Sequence, residues 1–364
     1  MFPNRKFNRQ DGFSMMELLV SLVTMTVVVG ASLALIGSSV KFANSTYNMT
    51  DAEQGLRTAH EMINRDLVTA GDGMKGIGKI TTPVAFVQNF LTRTPVLNGS
   101  DTTHGDVGLV TSDDNIPANI AVPQASPGVN FQTGSDRISM LVKDTTFPDV
   151  SVAAAKITQV GSNTNIVVPS GDINKFKVGE IYAIVSQDAT FGVVSAVNAP
   201  AFTLTLTSGD PGDVYSINQT GTTSPIYAVA QLNPTTLISA QAVAIVRLQI
   251  IQYYVEAGGL LHRRVFGIKG AGFADSIVAE HVTNLQFRYM TNISDANGFV
   301  KQPIRVITSA EQTAVREIET SISVETVRAV NATTNGNANT GRQLISQTTA
   351  TTVRNLQFRQ ALSP

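Results

Sequence analysis

The sequence predicts an α+β chain in which one long amino-terminal helix, half membrane-spanning and half amphipathic, packs on an antiparallel β-rich globular head. Three observations carry this reading. Residues 18 to 40 hold neither charge nor proline, residues 49 to 70 repeat apolar side chains at helical spacing, and Thr, Ser, Val, Asn and Gly dominate beyond residue 80. That last composition suits strands and polar turns.

The amino terminus sets the topology. Leu18 to Val40 is 23 residues long, roughly 34 Å as a helix, enough to cross a hydrocarbon layer of about 30 Å. Arg5, Lys6 and Arg9 precede it against Asp11 alone, an excess that holds the leader on the cytoplasmic side and sends the bulk of the chain outward. An ordinary secretory signal would be cut after the apolar run, where Gly30, Ala31 and Ser32 supply small residues. Glu17 argues against that. A carboxylate at the edge of an apolar core costs about 2–3 kcal/mol on insertion, and an ordinary signal gains nothing from it.

Gly12-Phe13-Ser14-Met15-Met16-Glu17-Leu18, behind a short basic leader and ahead of some twenty apolar residues, resembles the class III signal of type IV prepilins and type II secretion pseudopilins. The resemblance implies that a membrane-embedded prepilin peptidase cuts between Gly12 and Phe13 and that Phe13 becomes the N-methylated terminus. A mature chain beginning at Phe13 carries a positive α-amine. Glu17, four residues on and level with the amine of a neighbouring subunit, can neutralise it where either bare charge is costly.

The second helical half follows directly. Met49, Ala52, Leu56, Ala59, Ile63, Leu67 and Ala70 form one apolar stripe, while Glu53, Arg57, Glu61 and Arg65 alternate in sign at intervals of four on another face. No proline occurs between Pro3 and Pro83, and Gly71, Gly73, Gly76 and Gly78 end the pattern. A bare membrane stalk needs no apolar stripe, so a helix from Phe13 to about Ala70 with its outer half docked on a head is expected. The pilin fold has this arrangement.

Other motifs argue against enzymatic roles. Gly73 to Ile80 nearly matches a P-loop and Gly71 to Gly76 fits GxGxxG, yet both follow a helix where phosphate sites need a preceding strand. His60, His104, His262 and His281 show no metal-binding spacing, and there is no cysteine. Asp113, Asp114 and Asn115, near Asp101 and Asp106, are weak candidates for Ca²⁺, although clustered Asp and Asn more often make plain turns. The formal net charge of -1 offers no basic stripe for nucleic acid as a main partner.

Along the rest of the chain, 79 to 135 reads as loop-rich. Strands are expected at Ile138 to Val142 and Ile166 to Val168, and a hairpin set at 176 to 185, 191 to 197 and 202 to 206, weakly similar to β-barrel segments inserted in some PilW-like pilins. Val243 to Ile250 reads as a strand buried on both faces, turned by Glu256-Ala257-Gly258-Gly259 into Leu260 to Val265. Ile318, Thr320, Ile322 and Val324 alternate with polar residues as a one-sided strand. Val282 to Arg288 and Val353 to Arg359 match at six of seven positions, with Leu285, Phe287, Leu356 and Phe358 expected on a core face.

This order of strands, with the Arg65-Asp66-Leu67 helix exit, resembles PilW-type minor pilins and the related J-type pseudopilins. The expected organisation is a leader at 1–12, a transmembrane and filament-core helix at 13–40, an amphipathic helix at 41–71, a β-rich insert at 72–240 and a carboxyl-terminal pilin head at 241–364. The resemblance implies a non-enzymatic minor pilin without cofactor, anchored in the inner membrane with its head periplasmic and then assembled into a pilus at the cell surface. Its partners would be prepilin peptidase, other minor pilins, the major pilin, the inner-membrane assembly platform and membrane lipid. The length of the middle segment favours this over a type II secretion pseudopilin. A membrane-anchored adhesin or ligand-binding module is the alternative of another class.

Overall fold

The structure, a computed structural model, describes residues 12, 14–72, 74, 79–89, 96–97, 103–116, 130–186, 189–213, 216–220, 224, 226, 242–267, 273–294, 303–305, 314–327 and 342–353. The chain divides into two compact units, one of residues 1–51 with 326–343, the other of 52–325 with 344–364. Helix α1, Met15–Thr69, contributes to both.

In the first unit α1 is apolar and exposed. Its most hydrophobic 18-residue window has a mean hydropathy of 2.4 with no residue buried, long and apolar enough to cross a membrane. Several of its hydroxyls bond back to the helix itself. Thr24 Oγ1 donates to Val20 O at 2.9 Å, Thr26 Oγ1 to Leu22 O at 2.7 Å and Ser32 Oγ to Val28 O at 2.8 Å. Such back-bonding lets polar side chains sit in a water-free medium.

In the second unit the helical stripe is buried as its spacing predicts. Ala52, Leu56, Ala59, Ile63 and Leu67 join the main core, while Glu53, Arg57, Glu61 and Arg65 stay exposed. The helix stops where Gly71 takes φ 76° and donates its N–H to Leu141 O at 2.8 Å, so the chain leaves α1 straight onto a sheet. The P-loop-like stretch lies mostly outside the described residues.

The strands are β1 Lys79–Pro83, β2 Val96–Leu97, β3 His104–Gly108, β4 Val110–Asp113, β5 Arg137–Lys143, β6 Val150–Ala153, β7 Ile157–Val160, β8 Asn163–Val167 and β9 Ile181–Val185. They continue as β10 Ala189–Val193, β11 Ala196–Asn198, β12 Thr203–Thr207, β13 Ala242–Glu256, β14 Leu260–Phe266, β15 Phe273–Ala279, β16 Val282–Thr291, β17 Val315–Glu325 and β18 Leu344–Thr352. An 11-stranded sheet runs β15-β14-β13-β9-β10-β1-β3-β2, with β5 and β6 also on β13 and β4 on β5. Smaller sheets run β11-β12-β8-β7 and β16-β17-β18.

Strand β13 organises this unit. Its 15 residues reach about 50 Å, long enough to hold different partners along its length. Ala242 to Ile245 pair with β6, Ala244 to Arg247 with β9, Leu248 to Tyr253 with β5, and Ile250 to Glu256 with β14. Strands from residues 72–240 thus share one sheet with strands from 241–364. A second core, including Phe147, Ile157, Ile166, Tyr182, Leu204 and Ile245, lies under β7, β8 and β12.

The hairpin set is present but divided, with β9 and β10 in the large sheet and β11 and β12 in the four-stranded one. Gly192 allows the two to meet. A Cβ there would stand 2.2 Å from Leu206 Cδ2. The stretch read as loop-rich contains β1 to β4 and a short helix, α2 Val84–Asn89. Strand β3, His-Gly-Asp-Val-Gly, has no local strand preference; it is held by full pairing with β1 and is buried along its length. Both faces of β13 and one face of β17 are buried as expected. Leu285 and Phe287 of β16 are core residues, whereas Leu356 and Phe358 lie outside the described residues.

Candidate functional site

At the start of α1, Ser14 and Glu17 form a reciprocal cap. Ser14 Oγ accepts the N–H of Met16 at 3.3 Å, and Glu17 Oε2 accepts the N–H of Ser14 at 3.1 Å. This is the capping-box arrangement of a hydroxyl followed three residues later by Glu. Glu17 also lies in the first turn, where the helix dipole favours a negative charge. Within a single chain the carboxylate is thus already engaged two residues from the Gly12–Phe13 bond. Gly12 is exposed, and Phe13 lies outside the described residues.

The calcium candidates Asp113 and Asp114 each have a cationic partner. Asp113 Oδ2 accepts from Arg137 Nε and Nη2, each at 2.8 Å, and Asp114 Oδ1 lies 3.5 Å from Arg305 Nη1. Asp106 pairs with Lys79 Nζ at 2.6 Å, and Asp101 lies outside the described residues. The structure brings a cation to each of these three carboxylates. Among the described residues no three His, Asp or Glu side chains are grouped to hold a metal ion.

The dense polar chemistry lies where α1 meets the sheets. Asp66 is 5% exposed, and its Oδ2 accepts from Arg263 Nε at 2.6 Å and from the Tyr253 hydroxyl at 2.7 Å. Burial, and then the Asp66 charge, push the Tyr253 phenol far above its usual range, so it stays protonated and donates. Burial opposes charge on Arg263, but Asp66 overrides it and the guanidinium is held more firmly protonated than usual. One buried carboxylate thereby ties α1 to both strands of the β13–β14 hairpin.

A second polar seam joins α1 to β18. His60 Nε2 lies 3.2 Å from Gln347 O and Nδ1 lies 2.8 Å from Thr349 Oγ1, while Thr351 Oγ1 donates to Asn64 Oδ1 at 2.6 Å. Because a carbonyl only accepts, Nε2 carries the proton and Nδ1 accepts from Thr349. Burial lowers the pKa of His60, partly offset by the bond to Gln347, which keeps the ring neutral as this geometry requires. Asp136, 1% exposed, accepts the N–H of Asn115 at 2.9 Å and of Phe287 at 2.8 Å; burial raises its pKa to about 6.

The polar partners of α1 carried a signal in the sequence that hydropathy alone does not read. His60 and Asp66 occupy the helical stripe between Ala59, Ile63 and Leu67, where a buried polar side chain needs a partner from elsewhere. Nothing in the sequence named Arg263, Tyr253 or Thr349 as those partners. Of the remaining histidines, His104 pairs with Thr103, His262 lies between Glu256 and Asp275, each 3.0 Å away, and His281 O accepts the N–H of Glu325 at 2.9 Å. No protein-family model matches this chain, and no curated protein matches it.

Proposed function

We propose that this protein is a minor pilin, a non-enzymatic subunit that enters the inner membrane, is processed after Gly12 and joins other pilins in priming a type IV pilus. The observation that carries this reading is the junction of two features in one element. The Gly12-Phe13 to Glu17 signal stands at the head of α1, whose apolar first part is exposed and whose later stripe is buried under the β-rich unit. A cleavable signal would discard its apolar segment, but here that segment is continuous with a helix the head is built on.

Cleavage changes what Glu17 faces. In the uncut chain it caps Ser14; after the cut the new α-amine at Phe13 sits one residue before that cap, and a neighbour's amine offers an opposite charge in a medium of low polarity. The test is co-expression with a prepilin peptidase followed by sequencing of the mature terminus. A chain shortened by twelve residues and starting at N-methylated Phe13 supports the reading. Cleavage after the apolar run, or none, refutes it.

A further inference from the structure

Strand β18 is the end strand of the β16-β17-β18 sheet, and among the described residues it pairs only with β17. Its nine residues, Leu-Ile-Ser-Gln-Thr-Thr-Ala-Thr-Thr, include no charge and no proline, and their register against β17 is unbroken from Leu344 to Thr352. Natural sheets guard such edges with lysine, proline, bulges or very short strands. Both ends of the large sheet follow that rule. Strand β15 is irregular against β14 between Leu261 and His262, and β2 is only two residues long. Strand β18 has none of these guards.

The direction of its backbone groups follows from the pairing. Val353 donates its N–H toward β17, to Arg316 O at 3.3 Å. Since groups alternate along a strand, the even positions from Leu344 to Thr352 turn their N–H and C=O away from β17. Beside this edge runs an open groove of about 610 Å³, walled by α1 on one side and by Gln347 and Thr349 on the other. Its floor is closed by the His60 and Thr349 contact.

The helix wall carries the charge that selects an occupant. Arg57 and Arg65 line the groove with side chains 77% and 63% exposed, and Glu61 lies between them. Their only ion pairs among the described residues are long, 3.9 Å to Glu53 and 3.5 Å to Asp66. Eight helical residues span about 12 Å, and four strand residues span about 13 Å. A strand with acidic side chains at positions i and i+4, and an uncharged or basic one at i+2, therefore matches Arg57, Glu61 and Arg65 in turn.

We propose that the edge of β18, unpaired among the described residues, and its groove bind an extended acidic segment of a partner protein chain, which adds to the sheet as a fourth strand. Main-chain bonds from the even positions of β18 supply the affinity, and the arginines select sequence and direction. This stands on the edge and the groove and does not depend on the pilin reading.

The experiment uses the full chain in detergent micelles and a fluorescein-labelled nine-residue peptide of alternating Thr and Val, with Glu at its third and seventh positions. Anisotropy should show saturable binding, weakened about tenfold when both Glu are replaced by Lys and weakened again by added salt. Ala350→Pro removes an outward N–H without costing a bond to β17, and should abolish binding with the melting curve unchanged. Arg57→Glu with Arg65→Glu should reverse the preference toward the Lys peptide. Equal binding of both peptides, indifference to Ala350→Pro, or no binding at all overturns the proposal. So does a chain that is dimeric until Ala350→Pro makes it monomeric, since the edge is then closed by a second copy.

Discussion

Replacing Asp66 by Ala tests whether one buried carboxylate holds α1 on the β13–β14 hairpin. The change leaves the Arg263 guanidinium, 20% exposed, without its 2.6 Å partner and the buried Tyr253 hydroxyl without an acceptor. Breaking a buried ion pair from one side costs about 3–5 kcal/mol, and residual access of Arg263 to water places the expectation at the lower end, about 3–4 kcal/mol. For a unit of this size that lowers the melting temperature by about 6–16 °C. The chain has no Trp, so far-UV circular dichroism of the detergent-solubilised protein is the suitable readout. Asp66→Asn keeps an acceptor for Tyr253 and should lose less. The double variant Asp66→Ala with Arg263→Met should recover most of the loss, because it removes both charges together. A melting temperature within about 2 °C of wild type for the single variant, or a double variant no better than it, would refute the reasoning.

On the proposed pilin function, Glu17→Ala should leave processing intact but reduce incorporation into pili, whereas Glu17→Gln keeps the cap and removes the charge; pili with normal Gln variant content would assign Glu17 to capping alone. Asp136 is shifted upward, to about 6 from 3.8, so the folded chain binds more protons than the unfolded one between these values. Its contribution is therefore to raise stability as pH falls through about 6, levelling off near 3.8. Melts from acid to neutral should show this component in the wild type and its loss in Asp136→Asn; identical pH profiles would exclude it. Asp144 and Asp275 are shifted downward and act in the opposite direction, which is why the comparison with the variant is needed. Gly192→Ala places a Cβ 2.2 Å from Leu206 Cδ2 and 3.3 Å from Ile226 Cδ1, and overpacking of this kind should cost about 1–3 kcal/mol in a urea melt.

What the sequence determined by itself is what local periodicity and polarity can encode. The unbroken apolar run made α1 long enough to span, the spacing from Ala52 to Leu67 chose its buried face, and Glu256 to Gly259 turned β13 into β14. The 3.6- and 2-residue repeats act between near neighbours, so a single chain shows them. What only the tertiary structure decided depends on residues far apart. His60 meets Thr349 across 289 positions and Asp66 meets Arg263 across 197, and no pattern within either segment names the other. The same holds for β3, whose glycines disfavour a strand until β1 lies beside it, and for β13, which draws β5, β6 and β9 into its own sheet. Pairing energy is collected between strands and local preference within them, which is why the helix was legible and the strand partners were not.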